Sequence, residues 1–170
     1  MTHFDAPKVK PIIHRLIGLD YGLARIGIAL SDERQFIASP LITFVCEKKI
    51  EDTVIKLINQ ISKHAEDNKY IIEEIVIGLP LMMSGKKGMI ADEVIHFVEL
   101  LRQKTTIPIS TWDERLTTVQ ADRSLREGSM SRKKRSRVVD VVAACIILQN
   151  FLDHKSIKRS QESQVHISDL

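Results

Sequence analysis

The stretch RLIGLDYGLARIGIALSD, residues 15–32, decides the fold of this chain of 170 residues. It contains two apolar runs of strand length, RLIGLD (15–20) and RIGIALS (25–31), joined by a turn at Tyr21 and Gly22. A third run, FIASPLITF (36–44), follows after a short connection. Three strands joined by short turns form an antiparallel meander. Pro40 cannot donate to a β-ladder, so the third strand is predicted to lie at an edge or to be interrupted there.

After the meander, the apolar pattern alternates between helical and strand periods. Helical spacing predicts helices over about 51–67, 90–104, 117–127 and 138–152, and short apolar runs predict strands over 74–79 and 107–112. The order βββαβαβαα indicates a mixed sheet with helices covering its faces. We expect one domain over residues 15–153, with flexible tails at 1–14 and 154–170.

Composition limits the class of protein. The chain has 44% apolar and 28% charged residues, which excludes a disordered chain. No apolar run approaches the roughly 20 residues of a membrane span, and the first 14 residues lack a signal-peptide pattern. We therefore expect a cytoplasmic protein without a membrane partner. Cys46 and Cys145 are the only cysteines, which makes structural zinc or a disulfide unexpected.

A basic segment contrasts with the small net charge of +3. Residues 115–137 include eight lysines or arginines and two acidic residues. Such a concentration of charge favours an anionic polymer as partner, although a solvated loop would have the same composition. The residues expected to hold phosphates, without reading base sequence, are Arg132, Lys133, Lys134, Arg135 and Arg137.

Acidic residues at the ends of predicted strands are candidates for chemistry. Asp20 ends the first strand, where a ligand can approach the rim of the sheet, although a turn-capping aspartate would occupy the same position. Asp113 and Glu114 follow the strand at 107–112. Neighbouring strand residues point to opposite faces, so only one of these two can face a given site. The pattern does not choose between them, and Asp113 is also a plausible cap for the next helix.

Asp140 is the most informative acid, because four valines surround it near the start of the last helix. An aspartate in apolar surroundings needs a cation, either a metal ion or an arginine such as Arg137. Three acids without a histidine or cysteine ligand set fit a hard divalent cation, Mg²⁺ or Mn²⁺. Acids around such ions polarise a phosphodiester and activate water. Together with the basic segment, they favour a nuclease.

Four segments, in this order and spacing, resemble the YqgF family of Holliday junction resolvase-like proteins. The segments are GLDYGLARIGIALSD (18–32), IVIGLPLMMSGKKG (75–88), DERLTT (113–118) and SRKKRSRVVDVVAACIILQNFL (131–152). This family is described as pre-16S ribosomal RNA nucleases of the RNase H-like superfamily. The resemblance covers about residues 15–153. One departure is Met82, which stands where many relatives have an asparagine.

The resemblance implies an α/β, RNase H-like fold with a five-stranded mixed sheet in the order 3-2-1-4-5, flanked by helices. It also implies a metal-dependent endonuclease, acting as a monomer or homodimer on structured nucleic acid, either precursor rRNA or branched DNA. By motif, the catalytic and metal-binding acids are Asp20, Glu114 and Asp140, which selects Glu114 over Asp113. Arg115 would orient a carboxylate or contact a phosphate. The residues expected in loops near the site are Gly22, Gly78, Pro80 and Asp113.

Three alternatives stay open on the sequence alone. Cleavage of branched DNA would use the same acids and a dimer. A non-catalytic, ribosome-associated factor that binds nucleic acid would need no divalent ion. A kinase-like nucleotide-binding protein is disfavoured, because the chain has room for one lobe and lacks a GxxxxGK[ST] loop.

Overall fold

A computed structural model describes residues 11–80, 89–113 and 132–168. The elements in these ranges are β1 (Ile13–Tyr21), β2 (Arg25–Ser31), β3 (Ala38–Val45), α1 (Ile50–Asp67), β4 (Tyr70–Leu79), α2 (Met89–Lys104), β5 (Ile109–Asp113) and α3 (Arg132–Ser168). The predicted helix over 117–127 lies outside the described residues. None of the helices described has an apolar stretch of the length that a bilayer requires.

The strands form one mixed sheet in the order β3-β2-β1-β4-β5. β1 pairs antiparallel with β2, and β2 with β3, whereas β1 pairs parallel with β4, and β4 with β5. This arrangement confirms the predicted fold class and the edge position of β3. The register between β2 and β3 shifts beside Pro40, which pairs with Ala29. An irregular edge ladder accommodates a residue that has no N–H to donate.

The sheet separates two apolar cores. One lies under α1 and α2 and includes Ile17, Leu19, Ile75 and Ile77 from the central strands. The other lies under α3 and is formed by Leu16, Ala29, Val76, Ala144, Ile147, Leu148 and Leu152. Side chains alternate between the two faces along each strand, so a residue two positions from a known core residue lies on the same face, either the α1/α2 face or the α3 face.

α3 lies so close to the sheet that glycine is required at two positions beneath it. A Cβ atom added to Gly27 would lie 1.8 Å from the carbonyl oxygen of Asp140. A Cβ atom added to Gly18 would lie 2.6 Å from the Cβ atom of Leu148. Neither distance is possible between non-bonded atoms, so these two glycines set how deeply α3 packs. They also set the height of Asp140 above the sheet.

α3 is much longer than the helix predicted over 138–152. It begins at Arg132, so residues 132–137, which precede the predicted helix, form its first turns. It continues to Ser168, so the prediction that the helix ends near Leu152 is wrong, and the boundary placed at Asp153 falls inside it. The division into a domain and flexible tails stays a prediction.

Ion pairs to β4 and a hydrogen bond to the β2–β3 connection hold the polar part of α3 in place. Lys155 Nζ lies 3.2 Å from Glu73 Oε1 and 3.4 Å from Glu74 Oε2, both in β4. Arg159 donates a hydrogen bond of 3.4 Å to the side-chain oxygen of Gln35. These contacts join residues far apart in sequence, so local apolar periodicity does not reveal them.

Candidate functional site

The carboxyl ends of β1, β4 and β5 meet at one edge of the sheet, because these strands run parallel. Ligands bind at this edge in open α/β sheets. The residues predicted near the site that lie here are Asp20, Gly22, Gly78, Pro80 and Asp113. The strand β5 ends at Asp113, one residue later than predicted.

Asp20 lies on the α3 face of this edge. It pairs with Gly27 across the β1–β2 ladder, and directly opposed residues share a face of the sheet. The backbone carbonyl of Asp140 covers Gly27 on that face. The structure therefore brings together two of the three predicted acids, Asp20 from β1 and Asp140 from α3.

The two carboxyl groups interact electrostatically. The pKa of Asp20 is raised from 3.8 to about 6, first because burial disfavours the charged form and second because the negative charge of Asp140 repels it. A divalent cation between the two carboxylates would oppose both effects, because it favours their charged forms. The electrostatics of this corner thus favour binding of a cation.

Arg25, at the start of β2, is the ion-pair partner of Asp140. Its Nε atom donates to Asp140 Oδ2 at 2.8 Å, and the side chains are 35% and 21% exposed, respectively. The valines around Asp140 predict a positive partner, for which the sequence suggests Arg137 or a metal ion. Arg25 is not evident from the sequence as that partner, because it lies 115 residues from Asp140. The only local signal was that Arg25 belongs to the same motif as Asp20.

Asp113 lies on the face opposite to Asp20. The preceding residue, Trp112, packs edge-to-face on Phe151 of α3, with ring centroids 5.5 Å apart. Trp112 is therefore on the α3 face, and strand alternation assigns Asp113 to the α1/α2 face. Asp113 does not join Asp20 and Asp140 in one carboxylate cluster.

The remaining predicted site residues are not described at the level of side chains. Glu114 and Arg115 lie outside the described residues. The backbone of α3 includes the five basic residues predicted to hold phosphates, Arg132, Lys133, Lys134, Arg135 and Arg137. Among the residues that are described, no three histidine, cysteine or acidic side chains form a group that could hold a metal ion.

Similar proteins are known along nearly the whole chain. The family described as "RuvX: Holliday junction resolvase" matches residues 14–154. A protein of Protochlamydia amoebophila (strain UWE25) named "Putative pre-16S rRNA nuclease" is 63% identical over 146 residues, which cover 86% of this chain and 97% of that protein. A protein of Caldanaerobacter subterraneus subsp. tengcongensis with the same name is 46% identical over 140 residues, covering 82% of this chain and 96% of that protein. Among solved structures, T. thermophilus RuvC in complex with a Holliday junction substrate aligns with a TM-score of 0.46 and 10% identity, over 84% of this chain and 95% of that one.

Proposed function

The chain belongs to the RuvX (YqgF) family, as its motifs predict, and on that premise we propose that it is a metal-dependent endonuclease that cleaves precursor 16S rRNA. Asp20 and Asp140 lie close together at the carboxyl edge of the sheet, and this is the main observation that supports a metal-dependent reaction. The shared name of the two relatives supports the choice of substrate. The cytoplasmic location stays a prediction.

The donor set fits a hard divalent cation such as Mg²⁺ or Mn²⁺. Asp20 and Asp140 offer carboxylate oxygens, which these ions prefer, and their mutual repulsion is relieved by a cation. We assign the third carboxylate to Glu114, because Asp113 belongs to the opposite face of β5. When bound, the cation would supply Lewis-acid polarisation of the phosphodiester and a water that is nucleophilic at neutral pH.

Asp20 makes cation binding dependent on pH. A carboxyl group binds a metal ion in its deprotonated form, and the pKa of Asp20 in the metal-free protein is about 6. Below pH 6 the proton competes with the cation for Asp20. We therefore expect both cation affinity and cleavage to fall as the pH drops from 7 to 5.

α3 connects the acids to the basic residues predicted to hold phosphates. Residues 132–137 precede Asp140 in the same helix. At a rise of about 1.5 Å per residue, they lie about 5–12 Å from Asp140 along the helix axis. This distance suits a role in which they hold backbone phosphates near the cleaved bond.

Cleavage of branched DNA is the second candidate, and the family description favours it. The same acids would act on either nucleic acid. A four-way junction is cut symmetrically by two active sites, so this candidate requires a homodimer.

Substrate choice distinguishes the candidates. Purified protein is incubated with end-labelled precursor 16S rRNA and with a labelled four-way DNA junction, in Mn²⁺ and in EDTA. We expect cleavage of the rRNA precursor in Mn²⁺ only, with the junction intact. Cleavage of the junction by a dimeric protein, with the precursor intact, would establish the second candidate. Binding of both substrates without cleavage in either Mn²⁺ or Mg²⁺ would contradict a nuclease and favour a non-catalytic binding factor.

A further inference from the structure

Arg25 places a permanent positive charge on one of the acids of the proposed metal site. Its Nε atom is 2.8 Å from Asp140 Oδ2, and a guanidinium keeps its charge at every relevant pH. Arg25 shares the α3 face with Gly27, two residues further along β2, and Gly27 is the partner of Asp20. Arg25, Asp20 and Asp140 therefore meet at one corner of the fold.

Asp140 needs this partner in the absence of a metal ion. Its side chain is 21% exposed, and its backbone covers Gly27, the ladder partner of Asp20. Without a cation beside it, this partly buried carboxylate would have nothing to offset its lost hydration. The guanidinium supplies compensation through a charge-assisted hydrogen bond, the strong class of such bonds. It also occupies Oδ2, one of the two oxygen atoms that Asp140 can offer to a cation.

We propose that the guanidinium of Arg25 takes the place of the metal ion beside Asp140 in the metal-free protein. It stabilises Asp140 there and competes with the divalent ion for the carboxylate of Asp140. This inference rests on the proposed metal site at Asp20 and Asp140. Arg25 is thus a positioning residue that sets the affinity of the site for metal. Binding of the ion has to displace or share the hydrogen bond to Oδ2, so the arginine weakens metal binding while it protects the metal-free fold.

The first test needs no metal. The free energy of unfolding is measured by urea titration in EDTA for the wild type, Arg25→Gln, Asp140→Asn and the double variant. We expect Arg25→Gln to lower the stability of the wild type more than that of the Asp140→Asn variant, because the contribution of the Arg25–Asp140 pair is absent in that background. Equal losses in both backgrounds would overturn the inference.

The second test measures the affinity for Mn²⁺ by calorimetric titration. Arg25→Gln should bind Mn²⁺ about 10-fold more tightly than the wild type, the fold-change that one charge-assisted hydrogen bond contributes. Arg25→Lys retains the charge and should stay near the wild-type affinity. It also provides the comparison if Arg25→Gln does not fold, since a 10-fold tighter affinity in Arg25→Lys would overturn the inference.

Arg15→Gln is the matched control. Arg15 is a partly buried arginine of β1 that is also ion-paired, 3.3 Å from Glu33, but its partner does not belong to the proposed site. This variant should leave the affinity for Mn²⁺ unchanged. An unchanged or weaker affinity of Arg25→Gln for Mn²⁺ would overturn the role of Arg25 but leave the proposed metal site standing. Failure of the wild type to bind Mn²⁺ would overturn both the metal site and the role of Arg25.

Discussion

Replacing Asp20 by asparagine should stabilise the metal-free protein at neutral pH. Folding raises the pKa of Asp20 from 3.8 to about 6, and each unit corresponds to about 1.36 kcal/mol. Keeping Asp20 ionised in the folded protein therefore costs up to about 3 kcal/mol. Asparagine has nearly the same shape and no charge, so the variant avoids this cost. Most substitutions lower stability, which makes a gain of this size a distinctive result.

The gain depends on pH in a defined direction. Between pH 3.8 and 6, the folded wild type retains a proton on Asp20 that the unfolded chain has released. Wild-type stability therefore falls as the pH rises through this interval, and the loss is complete above about pH 6. Relative to the wild type, the Asp20→Asn variant should gain about 1 kcal/mol at pH 4.5 and about 3 kcal/mol at pH 7.5.

Urea unfolding in EDTA at these two pH values measures the difference. Asp67→Asn is the control, because Asp67 is an exposed aspartate at the end of α1, and its stability should stay within about 0.5 kcal/mol of the wild type at both pH values. A gain for Asp20→Asn that is equal at pH 4.5 and 7.5 would show that removal of the charge is not its cause. A loss at pH 7.5 would refute the reasoning that Asp20 is held close to Asp140 without compensation.

Three further variants test other parts of the structure. Asp140→Asn should either destabilise the metal-free protein or stabilise it less than Asp20→Asn does, because the Asp140 substitution removes the ion-pair partner of Arg25. Urea midpoints of the two variants at pH 7.5 measure this, and equal gains in stability would contradict the ion pair. Gly27→Ala should lower the free energy of unfolding by about 3 kcal/mol or more, since the new methyl group meets backbone that cannot rotate away; urea unfolding measures this, and a neutral effect would refute the close approach of α3. Replacing Lys133, Lys134 and Arg135 together by alanine should reduce the slope of log affinity against log salt by up to about 0.9 per lost contact on duplexes or 0.7 on single strands; an unchanged slope in binding titrations would mean that these residues do not hold phosphates.

The hairpin, the edge strand and the candidate acids could be predicted from local signals in the sequence, whereas the sheet order 3-2-1-4-5 was implied only by the resemblance to the YqgF family. Apolar runs and the turn at Gly22 indicated the hairpin, and Pro40 indicated the edge strand. Asp140 lies one helical turn before Ala144, and Ala144 is on the side of α3 that packs against the sheet. An aspartate on that apolar stripe has to meet a cation or an ion-pair partner, and the motifs connected it to Asp20.

The remaining features depend on contacts between distant parts of the chain. The pairing of Arg25 with Asp140 requires α3 to rest on Gly27, which neither segment signals by itself. The end of α3 is polar, and its helical state is supported by Lys155 against β4. The side chain positions of β5 were also not evident from the sequence: the packing of Trp112 on α3 assigns Asp113 to the opposite face, whereas the choice of Glu114 rests on the resemblance to the family.

The most direct test of the proposed function is the rate at which the protein cleaves labelled precursor 16S rRNA in Mn²⁺ at pH 7.5, compared between the wild type, Asp20→Asn and the control Asp67→Asn. Loss of an outer-shell partner of a metal ligand costs about 10–100-fold, and loss of a ligand should cost more. We expect Asp67→Asn to cleave at the wild-type rate and Asp20→Asn to be slower by more than about 100-fold while remaining folded. Cleavage by Asp20→Asn at the wild-type rate would contradict a metal-dependent site built on Asp20 and Asp140.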